Sequence, residues 1–498
     1  MHSTYYRAPF AKMMHGDPIS RRQMKDISPE ILADFDDRVP YAPSVHSLSN
    51  MVRRLTKYNK EIKPLPAAYK AALEAVGNHL LDLWCGTEIQ KEDEVWAHLN
   101  HTTSPGPILR KYGNNKKQVW ENPAFRTFSQ EWDSNLMTNR CVLPFACSSK
   151  DEPLPTALKS NGIKKNEQPR LYMAADFKST LVQNEYEGLQ NIRFHDAAMN
   201  EVHGWLCPSV LGRSLGGGLS DWMARNLIRN PNLLWGDLDA CDSRFQAKEM
   251  WWLFEVRATA LKLTGYHRLR YACLAGEIID SVAFMGDGSV WRVFGGNKSG
   301  HSSTIEMTTI HAITTVLAMA LTIFQVPPRL AHVLKAENML KNHSFRVHLG
   351  DDFIFAMSPF LAERITLDSA REAMEKNGTP VDWCDAILPL VLYDDVSLEP
   401  TEFTSKNFCF VAEHSSYAMV PKRDRVLSSI LVKGDGDPRN HYSKLVSLLY
   451  DAYWLTDMRN LLRALIERTY KEYGTVCALE PPPRDDKIVA FWLGWETL

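Results

Sequence analysis

The sequence predicts an α+β fold, a small sheet with helical flanks, on three observations. Short alternating apolar runs near 233–238, 345–349, 353–357 and 408–411 read as strands. Between and after them, apolar residues recur at helical spacing. The chain has 498 residues, 45% hydrophobic and 23% charged, a composition that builds a core and excludes a disordered tail, a collagen-like chain or a coiled-coil rod. At roughly 150 residues per domain, about three domains or lobes fit that length.

The elements follow in order. Residues 1–60 are polar, contain prolines and are basic at Arg21, Arg22 and Lys25, so they read as an extension wrapped on the body. From 61 to 100 the pattern turns helical, with Ala68, Ala72, Val76 and Leu80 near one face. Loops rich in Pro, Gly and Asn span 103–116 and 151–169. A second helix is expected over 245–264, carrying Phe245, Trp251, Phe254 and Ala258 and stopped by Gly265. Residues 423–472 are again helical, with a break near 434–438.

Charge gives no global hint of a partner: 57 Lys and Arg face 59 Asp and Glu, a net −2. Two segments depart from that balance. Residues 109–126 hold Arg110, Lys111, Lys116, Lys117 and Arg126 against Glu121, and 159–170 hold Lys159, Lys164, Lys165 and Arg170 against Glu167. Tyr112, Trp120, Phe125 and Tyr172 are interleaved with them, as stacking on single-stranded RNA would use. The nine scattered cysteines include no Cys-x-x-Cys pair, which argues for a reducing compartment and against a zinc site or disulfide framework. The N-terminus has no apolar h-region, and the longest apolar stretch, 312–324, is broken by three threonines, so neither a signal peptide nor a membrane anchor is expected.

The carboxylates carry the chemistry. Phe345, Val347 and Leu349 alternate before Gly350-Asp351-Asp352, and Phe353 and Phe355 alternate after it, which describes a hairpin with two acids at its tip. A solvated turn is the plainer explanation of that triplet. A second cluster, Asp237, Asp239 and Asp242, ends an apolar run just before a helix. Asp242 or Ser243 could cap that helix, but a cap does not account for three acids in six residues. Two clusters of hard oxygen ligands suit a pair of Mg²⁺ ions about 3.5–4 Å apart, the arrangement of phosphoryl and nucleotidyl transfer. Between the clusters, Ser299-Gly300 opens a long helix. Thr304, Thr308, His311 and Thr315 form a polar stripe on it, expected to line a cavity unless the hydroxyls bond back to their own helix.

The order Asp237 and Asp242, then Ser299, Gly300 and Thr304, then Gly350-Asp351-Asp352 resembles palm motifs A, B and C of viral RNA-dependent RNA polymerases. Asp351 follows Asp237 by 114 residues, and Gly350 follows Ser299 by 51. Similarity extends over about 100–430. The run 102–113 is similar to the motif G template loop of the partitivirus and picobirnavirus type, 164–174 resembles motif F, and 405–411 with 420–431 resembles motif E and the thumb entry. The family usually has Asn, or Asp in the partitivirus-like group, where this chain has Thr308.

The resemblance implies a right-hand polymerase of fingers, palm and thumb, with a small antiparallel palm sheet packed on helices. It divides the chain into an extension at 1–60, fingers at 61–230, a palm at 231–425 with a fingers insertion near 266–298, and a helical thumb at 426–498. Asp237, Asp351 and Asp352 would be catalytic and would hold two Mg²⁺ ions, with Mn²⁺ able to substitute. Arg170, Lys165, Asp242, Ser299, Gly300, Thr304 and Thr308 would bind the nucleotide, and Thr103, Ser104, Arg110, Lys111, Lys116 and Lys117 the template. Lys406 is a candidate general acid, with Lys376 an alternative. Partners would be RNA template and nascent RNA, ribonucleoside triphosphates and a capsid protein of a double-stranded RNA virus, in the host cytoplasm or virion interior. A reverse transcriptase and a catalytically inert RNA-binding or packaging protein are the rivals.

Other motifs carry less. Tyr393-Asp394-Asp395 looks like a reverse-transcriptase hairpin but lacks a helix of the Ser299 type at a sensible upstream distance of its own, so an edge strand is preferred. Gly216-Gly217-Gly218 lacks the P-loop pattern. The run 433–438 is expected to be a turn between thumb helices.

Overall fold

The computed structural model describes residues 17–44, 48–58, 63–106, 108–138, 145–150, 152–157, 170–197, 210–211, 214–393, 398–432, 434 and 436–494. Its central sheet has four antiparallel strands in the order Val381–Trp383, Asn232–Leu238, Asp352–Met357, Ser344–Leu349. Alternation along these strands divides residues between two cores. Leu234, Phe353 and Phe355 face the main helical core, whereas Leu233, Val347 and Ile354 face the other side. There they meet helix Leu219–Arg229 and a three-stranded sheet of Glu402–Phe403, Lys406–Val411 and Ser416–Pro421. The expected boundary at 230 therefore cuts a packed layer, because Met223 and Leu227 of that helix lie against the central sheet.

Helix Thr304–Ile323 is the axis of the main core. Every residue from Glu306 to Leu321 is buried, against helix Ala67–Trp84 on one side and Leu367–Lys376 on another. It is long and apolar enough to cross a membrane, but here neighbouring elements enclose it. Burying each of its large aliphatic side chains contributes about 1.5–3 kcal/mol.

A second four-stranded sheet, in the order Leu171–Ala174, Phe145–Ser149, Asp280–Phe284, Val290–Phe294, ties the 266–298 segment to strands some 130 residues earlier, near 145–150. The N-terminal segment packs on both the C-terminal helices and the second sheet. Met24, Leu32 and Phe35 of helices Pro18–Ile27 and Pro29–Arg38 share a core with Leu445, Leu449 and Leu462 of the C-terminal helices Pro438–Ala452 and Thr456–Cys477. Tyr41–Pro43 pairs with Pro153–Pro155, and Leu55 packs with Phe145, Met173 and Val293.

The helix expected over 245–264 runs Ala247–Ala260, and Gly265 does not stop it. Lys262 takes the left-handed conformation (φ 53°), with its own amide bonded to the Thr259 carbonyl and that of Leu263 to the Ala258 carbonyl. Gly265 is instead the first residue of the next helix, Gly265–Ile279. The stop is hard to read because a lysine occupies the position that usually selects glycine. Helix Arg423–Leu431 ends before the run 433–438 and helix Pro438–Ala452 begins at its end, with Asp437 capping it through the Arg439 amide at 2.8 Å; Lys433 and Asp435 lie outside the described residues. The amides of Gly217 and Gly218 donate to the carbonyls of Phe491 and Trp492 at 2.7 and 3.0 Å, so this glycine run seats the end of helix Asp485–Leu493.

Candidate active site

Two adjacent strands bring three carboxylates together. Leu349 pairs with Asp352, leaving Gly350 and Asp351 as a two-residue loop, and Gly350 has the positive φ (64°) that such a loop demands. Asp352 is the cross-strand partner of Asp237, and the Leu238 amide donates to the Asp351 carbonyl at 3.2 Å. Asp237 and Asp352 therefore share one register position, with Asp351 at the tip beside them.

The electrostatics follow from that crowding. Removal from bulk water, then the charges of Asp351 and Asp352, push Asp237 up to about 8. Burial and the charges of Asp351 and Glu402 push Asp352 up to about 7, and burial with the Asp351 charge does the same for Asp242. Among the described residues no three metal-ligating side chains stand in ready-made ligand geometry. The donor set nevertheless fits a divalent ion, since hard carboxylate oxygens whose mutual repulsion raises their proton affinity are relieved by a cation.

Asp242 lies in the short helix Cys241–Arg244, entered through Ala240 at φ 53°. Gln246 takes the N-cap position of the following helix without a side-chain cap, so Asp242 does not cap it. Arg244 turns back to Asp239 at 3.2 Å.

The loop before the long helix is fastened to the second sheet. The Met173 amide donates to Ser299 Oγ at 3.1 Å, and Gly300 bridges Ala174. A Cβ on Gly300 would stand 1.9 Å from the Met173 carbonyl oxygen, so only glycine fits that approach. Thr304 Oγ1 donates to the carbonyls of Lys298 and His301, at 2.9 and 2.7 Å. Thr308 Oγ1 donates to the Thr304 carbonyl at 2.8 Å and accepts from Asn297 Nδ2 at 2.8 Å. His311 Nδ1 lies 2.7 Å from the Tyr69 hydroxyl and 2.8 Å from Glu249. The hydroxyls of Thr304 and Thr308 thus bond back to main-chain carbonyls, the alternative to a cavity-lining stripe. His311 Nδ1 is satisfied by buried partners on neighbouring helices.

Arg170 immediately precedes strand Leu171–Ala174. Its charge lowers the proton affinity of Asp237, Asp242 and Asp352, and it lies 3.5 Å from Glu152. Lys165, with Lys159 and Lys164, lies outside the described residues. Thr103, Ser104, Arg110, Lys111 and Lys117 are exposed, while Lys116 is half-buried with its ammonium 6.0 Å from the Phe177 ring. The aromatics expected to meet RNA mostly meet one another. Trp120 stacks on Trp96 at 4.7 Å, and Phe125 is buried on Phe177 at 5.5 Å. Tyr172 is exposed.

Lys406 is engaged with Asp451 of helix Pro438–Ala452 at 2.8 Å. Lys376 instead borders a cavity of about 710 Å³ with Lys63, Arg244, Tyr58, Phe245 and Phe294, beside the Asp242 turn. The Tyr393 amide donates to the Phe408 carbonyl at 2.7 Å, and Asp394 and Asp395 lie outside the described residues. His348 is buried with its ring 5.9 Å from Phe353, on the strand that leads into the hairpin.

The sequence reading passed over Asn297, His301 and Thr309. Thr309 Oγ1 accepts from the Gly350 amide at 2.9 Å and donates to the Ile305 carbonyl at 2.8 Å. Nothing local marks it, since the bond spans 41 residues.

Residues 20–386 match the model of a family described as viral RNA-dependent RNA polymerase. No curated protein matches the chain.

Proposed function

The chain belongs to the viral RNA-dependent RNA polymerases and is an RNA-directed RNA polymerase; from that premise we propose that its carboxylate cleft joins ribonucleotides by a two-metal mechanism. The observation that carries this is the register of Asp237 opposite Asp352, with Asp351 at the turn between. Asp237 and Asp351, with Asp352 assisting, would hold two Mg²⁺ ions, or Mn²⁺ in their place. When bound, these ions supply acidity to a 3′-hydroxyl and charge against the departing pyrophosphate.

The chain's own groups do the rest. Arg170, whose charge reaches Asp237, Asp242 and Asp352, pairs with the triphosphate, and Lys165 adds to that charge. Asp242 accepts the ribose 2′-hydroxyl, beside the turn formed by Ser299, Gly300 and Thr304. The exposed Thr103, Ser104, Arg110, Lys111 and Lys117, with Lys116, guide the template strand. Lys406, paired with Asp451, and Lys376, paired with Glu372 at 2.7 Å beside the cavity at Arg244, are the two candidates for the lysine that gives a proton to pyrophosphate. The viral role is genome replication and transcription, in the partitivirus and picobirnavirus-like manner, with a capsid partner.

The test is extension on an RNA template with Mg²⁺ and separate ribo- and deoxynucleotide pools, for the wild type and Asp351→Asn. RNA from the wild type and at least about a 1,000-fold loss in a folded Asp351→Asn support the proposal. Retained activity in that variant overturns the metal assignment, and DNA product points to reverse transcription. Binding without product leaves an RNA-packaging role.

A further inference from the structure

Thr308, buried near the start of the long helix, has no hydrogen to offer a sugar. Its proton is committed to the Thr304 carbonyl at 2.8 Å. What reaches its oxygen is the side chain of Asn297, which is itself fully buried.

The orientation of that side chain is fixed from both ends. Asn297 Nδ2 lies 2.8 Å from the Thr304 carbonyl, which can only accept, so the nitrogen is the donor and Oδ1 faces His301 Nε2. At the far end, Gln183 Oε1 accepts the Ser302 amide at 2.9 Å, so Gln183 Nε2 donates to His301 Nδ1 at 3.0 Å. His301 must then carry its proton on Nε2 and donate to Asn297. The result is a directed chain: Gln183 to His301, His301 to Asn297, Asn297 to Thr308, Thr308 to the Thr304 carbonyl. Burial and the nearby positive charge of Lys298 hold His301 down to about 3, so the ring stays neutral across working pH and the direction does not reverse.

The same residue grips the other side of the nucleotide site. The main-chain amide of Asn297 donates to the Asp242 carbonyl at 2.7 Å, so the residue whose side chain holds the first turns of the long helix is joined through its backbone to the short helix that carries Asp242. Gln183 is braced in turn, since its Nε2 also donates to Glu187, which accepts from Ser303 Oγ and, at 2.8 Å, from the Tyr271 hydroxyl.

We propose that Asn297, held by His301 and Gln183, is a positioning residue for sugar selection: it sets Asp242 against Thr304 and Thr308 so that a ribonucleotide is preferred to a 2′-deoxynucleotide. This rests on the role of Asp242 given above. Asn297 touches no substrate and acts through the two turns it joins.

The test is single-nucleotide incorporation by the full-length chain on a primed RNA template with Mg²⁺, pairing a ribonucleotide with the matching 2′-deoxynucleotide. The ratio of their kcat/KM values is compared across wild type, Asn297→Ala, Asn297→Asp, Thr308→Val and Thr308→Ser. Loss of the buried hydrogen bond between Asn297 and Thr308, common to all three, should lower that ratio about tenfold or more in Asn297→Ala, in the donor-less Asn297→Asp and in Thr308→Val. Thr308→Ser keeps the hydroxyl and should keep the ratio. A general loss of rate with an unchanged ratio in Asn297→Ala and Thr308→Val makes the chain merely structural and overturns the proposal. Should Asn297→Ala not fold, the Thr308 pair decides alone. A wild type that makes no templated product defeats the functional reading itself, whereas one that incorporates with no variant shifting the ratio defeats only this inference.

Discussion

The hydroxyl of Thr309 accepts the amide hydrogen of Gly350 at 2.9 Å, so the long core helix holds the tip of the carboxylate hairpin directly. Thr308 and Thr309, adjacent in sequence, each donate to the carbonyl four residues back and accept from a different loop. Removing the acceptor should leave the Gly350 amide unsatisfied, at about 1–3 kcal/mol. Thr309→Val should therefore slow turnover about tenfold or more with little change in KM, while Thr309→Ser stays near wild type. Single-turnover kinetics with a melting curve would check it, and equal rates for both variants would remove the hydroxyl from the account.

The acid cluster makes stability depend on pH and on divalent ions. Asp237, raised to about 8, and Asp242 and Asp352, raised to about 7, stand well above the ordinary carboxylate value of about 4. The folded chain thus keeps protons that the unfolded chain has released, and without a metal its stability from these groups falls as pH climbs from about 4 to about 8. Mg²⁺ needs the ionised groups, so its gain in Tm should be larger at pH 8 than at pH 5. Thermal melts with Mg²⁺ or with EDTA at both values would decide this, an equal gain at pH 5 being the adverse result.

Gly300→Ala should be among the most damaging of small changes. Its Cβ would stand 1.9 Å from the Met173 carbonyl oxygen, forcing the Ser299 loop off its strand. Activity should fall roughly a hundredfold or more, as misplacement of about 1 Å does. Gly276→Ala, where the nearest atom is 4.0 Å away in a helix interior, is the control and should hold or raise Tm. Incorporation rates and melting curves of the two would be compared.

Asp17 fastens the N-terminal helices to the C-terminal ones. It caps helix Pro18–Ile27 through the amides of Ile19 and Ser20, and it meets Lys444 Nζ at 2.5 Å and His441 Nδ1 at 3.0 Å. Burial alone would raise its carboxyl, but hydrogen bonds from His441 and Lys444 hold it well below the usual range. That stability is present above the unfolded value near 4 and is lost as pH falls below it. Asp17→Ala should cost about 3 kcal/mol, read by urea unfolding at pH 7, because it removes a buried carboxylate that caps a helix and pairs with both His441 and Lys444. A loss below about 0.5 kcal/mol would show the contact to be incidental.

Much of the site was legible because its local patterns are strong. The hairpin announces itself by alternation around Gly350, and the long helix by an apolar run after a Ser-Gly turn. The stop after Ala260 was not legible, since Lys262 adopts a conformation its side chain does not advertise. Trp120 and Phe125 look ready for RNA on paper, but their rings are taken up by Trp96 and Phe177.

By itself the sequence determined the strands near 233–238, 345–349, 353–357 and 408–411, the long helix and the acid-tipped hairpin, because each depends on residues within a few turns or one hairpin of one another. Only the tertiary structure decided which polar groups serve the cleft. Asn297 finds Thr308 across a loop, Gly350 finds Thr309 across 41 residues, and Lys406 goes to Asp451. The physical reason is that a buried donor or acceptor must be satisfied by whatever packing brings near it, and that neighbour is set by the fold as a whole rather than by the spacing of residues along the chain.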